Sequence, residues 1–334
     1  MRNKFVIFII SLLYLSCSKQ DPVLDAIPAK VLNVTTDIID NQSVFINLVD
    51  VNFDSDSFNN CWHLKFQNTL NAWSIYLNPL ENVAIYQTTS TDFKAIDSNY
   101  NLVGLNWSID IPTTKGLYPA IGEWGDFNFN NPESFKAVYI VRIKNDITAD
   151  FFKLQLLDAS ENSYRVRYGN LNKRDENTIV IRKNEEYSHS YLELSSEVNQ
   201  PLVEPKHLNW DLSFTYLADS IIKHGNQPFI STINKNYGVY QSLLINQKLN
   251  VVAIDTVVGF TEMDYFIANK LNYNKLDQLN NIFIGWNNLK NEAYIKPKTC
   301  LILKRDEDYY AVSANDLFGD YPISYSLKLI IKKL

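Results

Sequence analysis

Four histidines, three cysteines and two methionines are the side chains of this 334-residue chain best suited to hold a metal or haem iron, or to begin nucleophilic chemistry. Their spacing is sparse. No C-x-x-C or H-E-x-x-H occurs, so no zinc site is expected. No G-x-S-x-G occurs, and Cys61, two residues before His63, has no orienting acid beside it. Asp54 and Asp56 resemble a fragment of a calcium loop but lack its Gly and closing Glu, so they read as a solvated acidic turn. Among 37 acids nothing selects a glycosidase pair, and no Gly-rich phosphate loop is present. No enzyme is expected. His63 falls on the wet side of a strand, and His189 and His207 lie near the start of a second repeat, His207 in a loop. His224 with Met263 is the pair that one half of the chain offers to an iron porphyrin.

The elements that would position such groups are strands. Aromatics are abundant, with 20 Tyr, 18 Phe and 6 Trp, and they suit a pleated surface. Glycines number only 10, so Asn is expected to take the left-handed turn positions. Leu64 and Phe66 alternate with His63 and Lys65, and Leu212 and Phe214 with Asp211 and Ser213, giving one apolar and one wet face. Helical signals are few, and residues 261–271 (TEMDYFIANKL) could form a short helix with Thr261 as cap. The formal net charge of −6 argues against a nucleic-acid partner.

Blocks of the chain recur in the same order. QSVFINL (42–48) matches HSYLELS (189–195), and WHLKF (62–66) matches WDLSF (210–214). IYLNPLENVAI (75–85) matches LLINQKLNVVAI (243–254), and AVYIVRIKNDITADFFKLQLLD (137–158) matches TCLILKRDEDYYAVSANDL (299–317). YRVRYGNL (164–171) matches YSLKLII (325–331). The offset is 147 at Ser43/Ser190, 148 at Trp62/Trp210, 168 at Ile75/Leu243 and 161 at Tyr164/Tyr325, the jump marking about 20 extra residues after Phe214. This predicts an all-β chain of two tandem antiparallel β-sandwich domains, 35–172 and 186–334. Residues 173–185 connect them, and the strand at 178–181 belongs to one or the other. Cys61 and Cys300 read as buried thiols, with a bridge as the alternative.

The N-terminus reads as an address. Arg2 and Lys4 precede an apolar run, Phe5 to Leu15, too short for a membrane span of about 20 residues. Ser16 then precedes Cys17, which resembles a bacterial lipobox. The expectation is a signal peptide over 1–16, lipid attachment at Cys17 and a tether over 17–34, the alternative being an ordinary cleaved signal peptide with an incidental cysteine. Ser18 after the cysteine implies outer-membrane sorting and surface exposure in a Gram-negative cell.

Segments VEPKHLNWDLSFTY (203–216), LLINQKLNVVAID (243–255), IGWNN (284–288) and YIKPKTCLILKRDEDYYAVSANDL (294–317) resemble the HmuY-like family of bacterial surface lipoproteins. The resemblance implies an all-β domain whose characterised activity is haem capture, with paired His or Met on the iron. This chain has no histidine after His224 and no methionine beyond the start except Met263, so no ligand pair carries over. The resulting expectation is a non-enzymatic surface binding module for haem or another small ligand, handing cargo to a TonB-type outer-membrane receptor. The alternative is a structural lipoprotein that binds a protein or polysaccharide.

Overall fold

The computed structural model describes residues 28–334 except 38–41, 49–53, 114–115, 128–131, 144–148, 174, 196–199, 221–227, 229–230, 235–236, 247, 277, 280–281 and 322–323. Strand is the main regular structure, and only three short helical turns accompany it among the described residues. The chain opens with β1 (Lys30–Asp37), β2 (Gln42–Asn47), β3 (Asp54–Asn59), β4 (Leu64–Gln67), β5 (Ile75–Leu77) and β6 (Ala84–Gln87). Then come β7 (Ile111–Thr113), β8 (Gly116–Tyr118), β9 (Gly125–Asp126), β10 (Glu133–Ser134), β11 (Val138–Ile143), β12 (Asp150–Ser160) and β13 (Ser163–Asn170). Next are β14 (Asn177–Arg182), β15 (His189–Leu192), β16 (Leu212–Ser220), β17 (Ser231–Asn234), β18 (Tyr237–Ile245) and β19 (Val251–Asp255). The last are β20 (Gln278–Leu279), β21 (Ile284–Asn287), β22 (Glu292–Ile295), β23 (Cys300–Arg305), β24 (Asp308–Asp320) and β25 (Ser324–Lys333).

Two antiparallel sandwiches result. In the first, a five-stranded sheet β14-β13-β12-β11-β6 faces a three-stranded sheet β15-β4-β5. Leu64, Phe66 and Leu192 from the small sheet meet Val141, Leu154, Val166 and Ile181 from the large one. In the second, a five-stranded sheet β1-β25-β24-β23-β19 faces the strands β2-β16-β18, which β3 and β17 extend. Ile46, Leu212 and Phe214 there meet Leu303, Val312, Leu329 and Ile331. Each such side chain, moved out of water, contributes about 1.5–3 kcal/mol.

Place by place, the strands correspond: β14 with β1, β13 with β25, β12 with β24, β11 with β23, β6 with β19, β15 with β2, β4 with β16, β5 with β18. Detail follows suit. A bulge interrupts β12/β13 between Leu156 and Asp158, and another interrupts β24/β25 between Ala314 and Asp316. His63 N donates to Leu192 O, as Asp211 N does to Ile46 O. His63 Nδ1 accepts from Leu194 N at 2.9 Å, and Asp211 Oδ2 accepts from Leu48 N at 2.7 Å. Asn78 Nδ2 donates to Trp62 O, and Asn246 Nδ2 to Trp210 O. The outer face of each large sheet is covered alike, Val138 and Ile140 by Phe93 and Ile96, Cys300 and Ile302 by Met263 and Ala268.

The pairing does not follow the boundaries expected at 35–172 and 186–334. Strands β1, β2 and β3 lie in the second sandwich, and β14 and β15 lie in the first, so β14 within 173–185 is an edge strand of the first sandwich rather than part of a connector. The reason is hydrogen bonding: β25 and β16 each have an edge to fill, and the N-terminal strands fill both. The tether expected over 17–34 also ends sooner, because 30–34 already belong to β1.

Smaller expectations are adjusted. Residues 54–59 form a strand paired with β2, not a turn. The helix near 261–271 is only Tyr265–Ala268, and its cap is Asp264, whose carboxylate accepts from Ile267 N at 2.8 Å. Asn71, Asn82 and Asn291 take positive φ, but so do Lys136, Lys298 and Asp306. Cys300 is buried and Cys61 exposed, both free.

Candidate functional site

Each small sheet has a second face, turned away from its own core. Alternation along the strands decides what occupies it. In the first sandwich Leu64 and Phe66 point inward, so Lys65 points outward. In the second, Val44, Ile46, Leu212 and Phe214 point inward, so Ser43, Phe45 and Ser213 point outward. These two outward faces meet and enclose a cavity of about 110 Å³. Its walls hold four pairs of equivalent positions: His189 and Ser43, Tyr191 and Phe45, Trp62 and Trp210, Lys65 and Ser213. Like face meets like face, as in a two-fold interface between separate subunits.

The two halves differ in chemistry. The second sandwich supplies Phe45, in edge contact with Trp210 at 5.4 Å, and Ser43, bonded to Thr215. The first supplies titratable groups. Lys65 Nζ lies 5.5 Å from the Trp62 ring centroid and 5.4 Å from that of Tyr76, both within cation–π range. Burial lowers the pKa of its ammonium, against the attraction of Asp110 and Glu204. Glu204, buried in the connection to the second sandwich, accepts from His189 N at 2.9 Å and from the Tyr191 hydroxyl at 3.1 Å. Burial still pushes its carboxyl above the usual range, outweighing those bonds and Lys65. Burial also drives the His189 imidazole well below its ordinary pKa, with Lys65 and His207 adding repulsion. The Tyr191 phenol is raised well above its own, by burial first and then by Glu204.

Several donors on this face are unmatched. Trp210 Nε1 and the Ser213 hydroxyl are buried with no hydrogen-bond partner among the described residues. Lys65 Nζ has neither a hydrogen bond nor an ion pair among the described residues; its contacts are the two aromatic faces. A buried donor left unmade costs about 1–3 kcal/mol, so the two on this wall, beside the Lys65 ammonium, call for an occupant, water or solute.

Of the side chains singled out by sequence, few reach this cavity. Met263 is buried in the cluster on the outer face of β23, with Cys300 and Ile302. His224 and Cys17 lie outside the described residues. His63 is not on a wet face: it is buried as the cap of the Leu194 amide. His207 is buried in a short helix, and its backbone N–H donates to Glu186 O at 2.7 Å. Only His189 lines the cavity. Lys65, Tyr191, Glu204, Trp210 and Ser213 were not candidates, because an alternating strand marks its second face as wet whether water or another sheet covers it. The aromatic residues recurring near those positions, Trp62, Trp210, Tyr191 and Phe45, are the signal that could have shown the face to be covered. Among the described residues no group of three or more His, Cys, Asp or Glu could hold a metal ion.

No family model matches the chain, and no curated protein matches it significantly. Among solved structures, an apo HmuY analogue (TFO) of Tannerella forsythia matches at 14% identity with a TM-score of 0.23, over 45% of this chain and all of that one.

Proposed function

We propose that this protein is a lipid-anchored surface module that binds a small molecule in the cavity between its two sandwiches, without catalysing a reaction. The observation that carries this reading is the cavity wall itself, where Trp210 Nε1 and the Ser213 hydroxyl are buried with no partner among the described residues and the half-buried Lys65 lies beside them. A face built only to glue two units would be expected to satisfy its polar atoms internally. Anchorage rests on the sequence of residues 1–17, with Cys17 as the acylated residue and the outer membrane as destination. The anchor would then hold the chain through its N-terminal strands, since β1 begins at Lys30. Delivery of the ligand to a TonB-type receptor is the partner step this reading allows. The HmuY-like identity of the two units is part of the same proposal.

The cavity's size bears on the ligand. Pockets for drug-sized molecules run about 300–1,000 Å³, and this one is about 110 Å³. Haem does not fit there, so a haem site would have to lie elsewhere, with His224 as the residue to test. The binding reading is tested by thermal unfolding of the purified chain against a panel of small sugars, amino acids and carboxylates. A ligand should raise the midpoint in the native chain and not in Ser213→Leu, whose side chain fills the cavity. No stabilisation by any member overturns the reading. Ferric haem titration tests the alternative ligand, and mass spectrometry of the processed N-terminus tests the acyl groups on Cys17.

A further inference from the structure

We infer that the ligand of the inter-sandwich cavity is a short-chain monocarboxylate, its carboxylate held by Lys65 Nζ, Trp210 Nε1 and the Ser213 hydroxyl. This rests on the binding reading above and adds the chemical class. Those three atoms are all donors. Trp210 and Ser213 are 6% and 0% exposed, and neither polar atom has a partner among the described residues. An acceptor with two oxygens and four lone-pair sites has capacity for three donors, and a carboxylate is the smallest organic group with that capacity.

Charge narrows the class. Lys65 is the only Lys or Arg on the cavity wall among the described residues. The wall's one acid, Glu204, is already engaged by His189 N and the Tyr191 hydroxyl. A monoanion places one negative charge against Lys65, whereas a phosphate or sulfate dianion brings a second near Glu204 with no further cation on the described wall to meet it. A neutral polyol offers the Lys65 ammonium no charge beyond the attraction of Asp110 and Glu204. An ammonium ligand would face Lys65 itself.

Size and wall chemistry fix the rest. A volume of about 110 Å³ is less than the roughly 150 Å³ of an engineered cavity that takes benzene. It suits an acid of about two to four carbons. Leu80, Val203, Leu217 and Leu244 give the alkyl end an apolar wall.

The test uses the full-length protein carrying 15N-labelled tryptophan, with the Trp210 indole resonance assigned through Trp210→Phe. Acetate, propionate and butyrate are titrated against sodium chloride of equal ionic strength, sodium phosphate, methylammonium and glycerol. The expected result is a saturable shift of the Trp210 indole with the three carboxylates and not with the others. Lys65→Met keeps the stem and removes the charge, and should weaken the effect at least tenfold while the other indole resonances stay in place. Ser213→Ala provides a milder second variant, expected to weaken binding severalfold. A saturable shift with phosphate, methylammonium or glycerol and none with the acids overturns the class while leaving the binding reading standing. No saturable shift with any solute, the cavity holding water alone, overturns both. Carboxylate binding that survives Lys65→Met unchanged overturns the assigned site.

Discussion

The first sandwich is drawn from one unbroken stretch, β4 to β15, while the second takes β1, β2 and β3 from the opposite end of the chain. Strand for strand the two have the same order, and β1 and β2 stand in the second where β14 and β15 stand in the first. Closing β2 against β16 spans the whole first sandwich, yet each doubling of a loop costs only about 0.6 kcal/mol. Against this stand the ladders of β1 with β25 and β2 with β16, and the burial of Val44, Ile46 and Leu48. The comparison teaches that a sheet edge with an exposed apolar face selects its partner by pairing and burial, not by proximity along the chain.

The hardest blow to that comparison is deletion of residues 28–48. It uncovers Leu212, Phe214, Leu327, Leu329 and Ile331, all buried in the second core. At about 1.5–3 kcal/mol each, their exposure exceeds much of a typical domain's 5–15 kcal/mol of stability. Hydrogen exchange should show β23 to β25 unprotected and β11 to β13 still protected, with a peptide of residues 28–48 restoring the loss. Retained protection in β23 to β25 would mean that the N-terminal strands are an ornament.

A finer cut compares Asp211 with its counterpart His63. Asp211 is fully buried and also accepts from Arg305 at 2.9 Å and Asn250 at 3.0 Å. Asp211→Ala leaves a shielded guanidinium and two N–H donors without it, and should cost about 3–5 kcal/mol. His63→Ala leaves the Leu194 amide unpaired and should cost about 1–3 kcal/mol. Chemical denaturation of the two variants measures the difference, and equal costs would contradict it.

Ile46→Ala and Leu192→Ala probe matched closing positions, both fully buried. Each should cost about 2–5 kcal/mol. Exchange should assign the first loss to the second sandwich and the second to the first.

The gentlest test is pH. Asp110 accepts from Leu77 N and Ala120 N, both at 2.7 Å. Burial nonetheless pushes its carboxyl up to about 7, those bonds and Lys65 opposing. The folded group holds its proton longer than the unfolded one. Its contribution is therefore complete below the ordinary carboxylate range and is lost as pH rises toward 7. The slope is about 1 kcal/mol per pH unit. Native minus Asp110→Asn stability, followed from pH 4 to 8, isolates it. The second sandwich has Leu276 at the matching place, two residues past the Val252–Asn274 bridge as Asp110 is past Ile85–Ser108. Stability of β23 to β25 should show no such slope.

Much of the strand content was legible. The matched blocks 62–66 and 210–214, 75–85 and 243–254, 137–158 and 299–317 fall on β4 and β16, β5–β6 and β18–β19, β11–β12 and β23–β24. The block at 42–48 also falls on the right counterpart strand, but slipped by one: backbone bonds put Ile46 opposite Leu192's place, an offset of 146 rather than 147. Such a slip reverses the two faces of a strand. It therefore conceals that His189 answers to Ser43 and Tyr191 to Phe45. The cavity residues were not legible, because a polar Lys65 or Ser213 on an alternating strand looks the same under water and under a second sheet.

The amino-acid order alone determined that the chain forms amphipathic strands and that Leu64, Phe66, Leu212 and Phe214 are interior. Those outcomes follow from local alternation and residue chemistry. Only tertiary structure decided that β1, β2 and β3 complete the far sandwich and that the outer faces of the two small sheets enclose Lys65, Trp210 and Ser213. Backbone edges and strand faces carry no address for a partner, so that choice is made by which ladders and cores can be completed together in space.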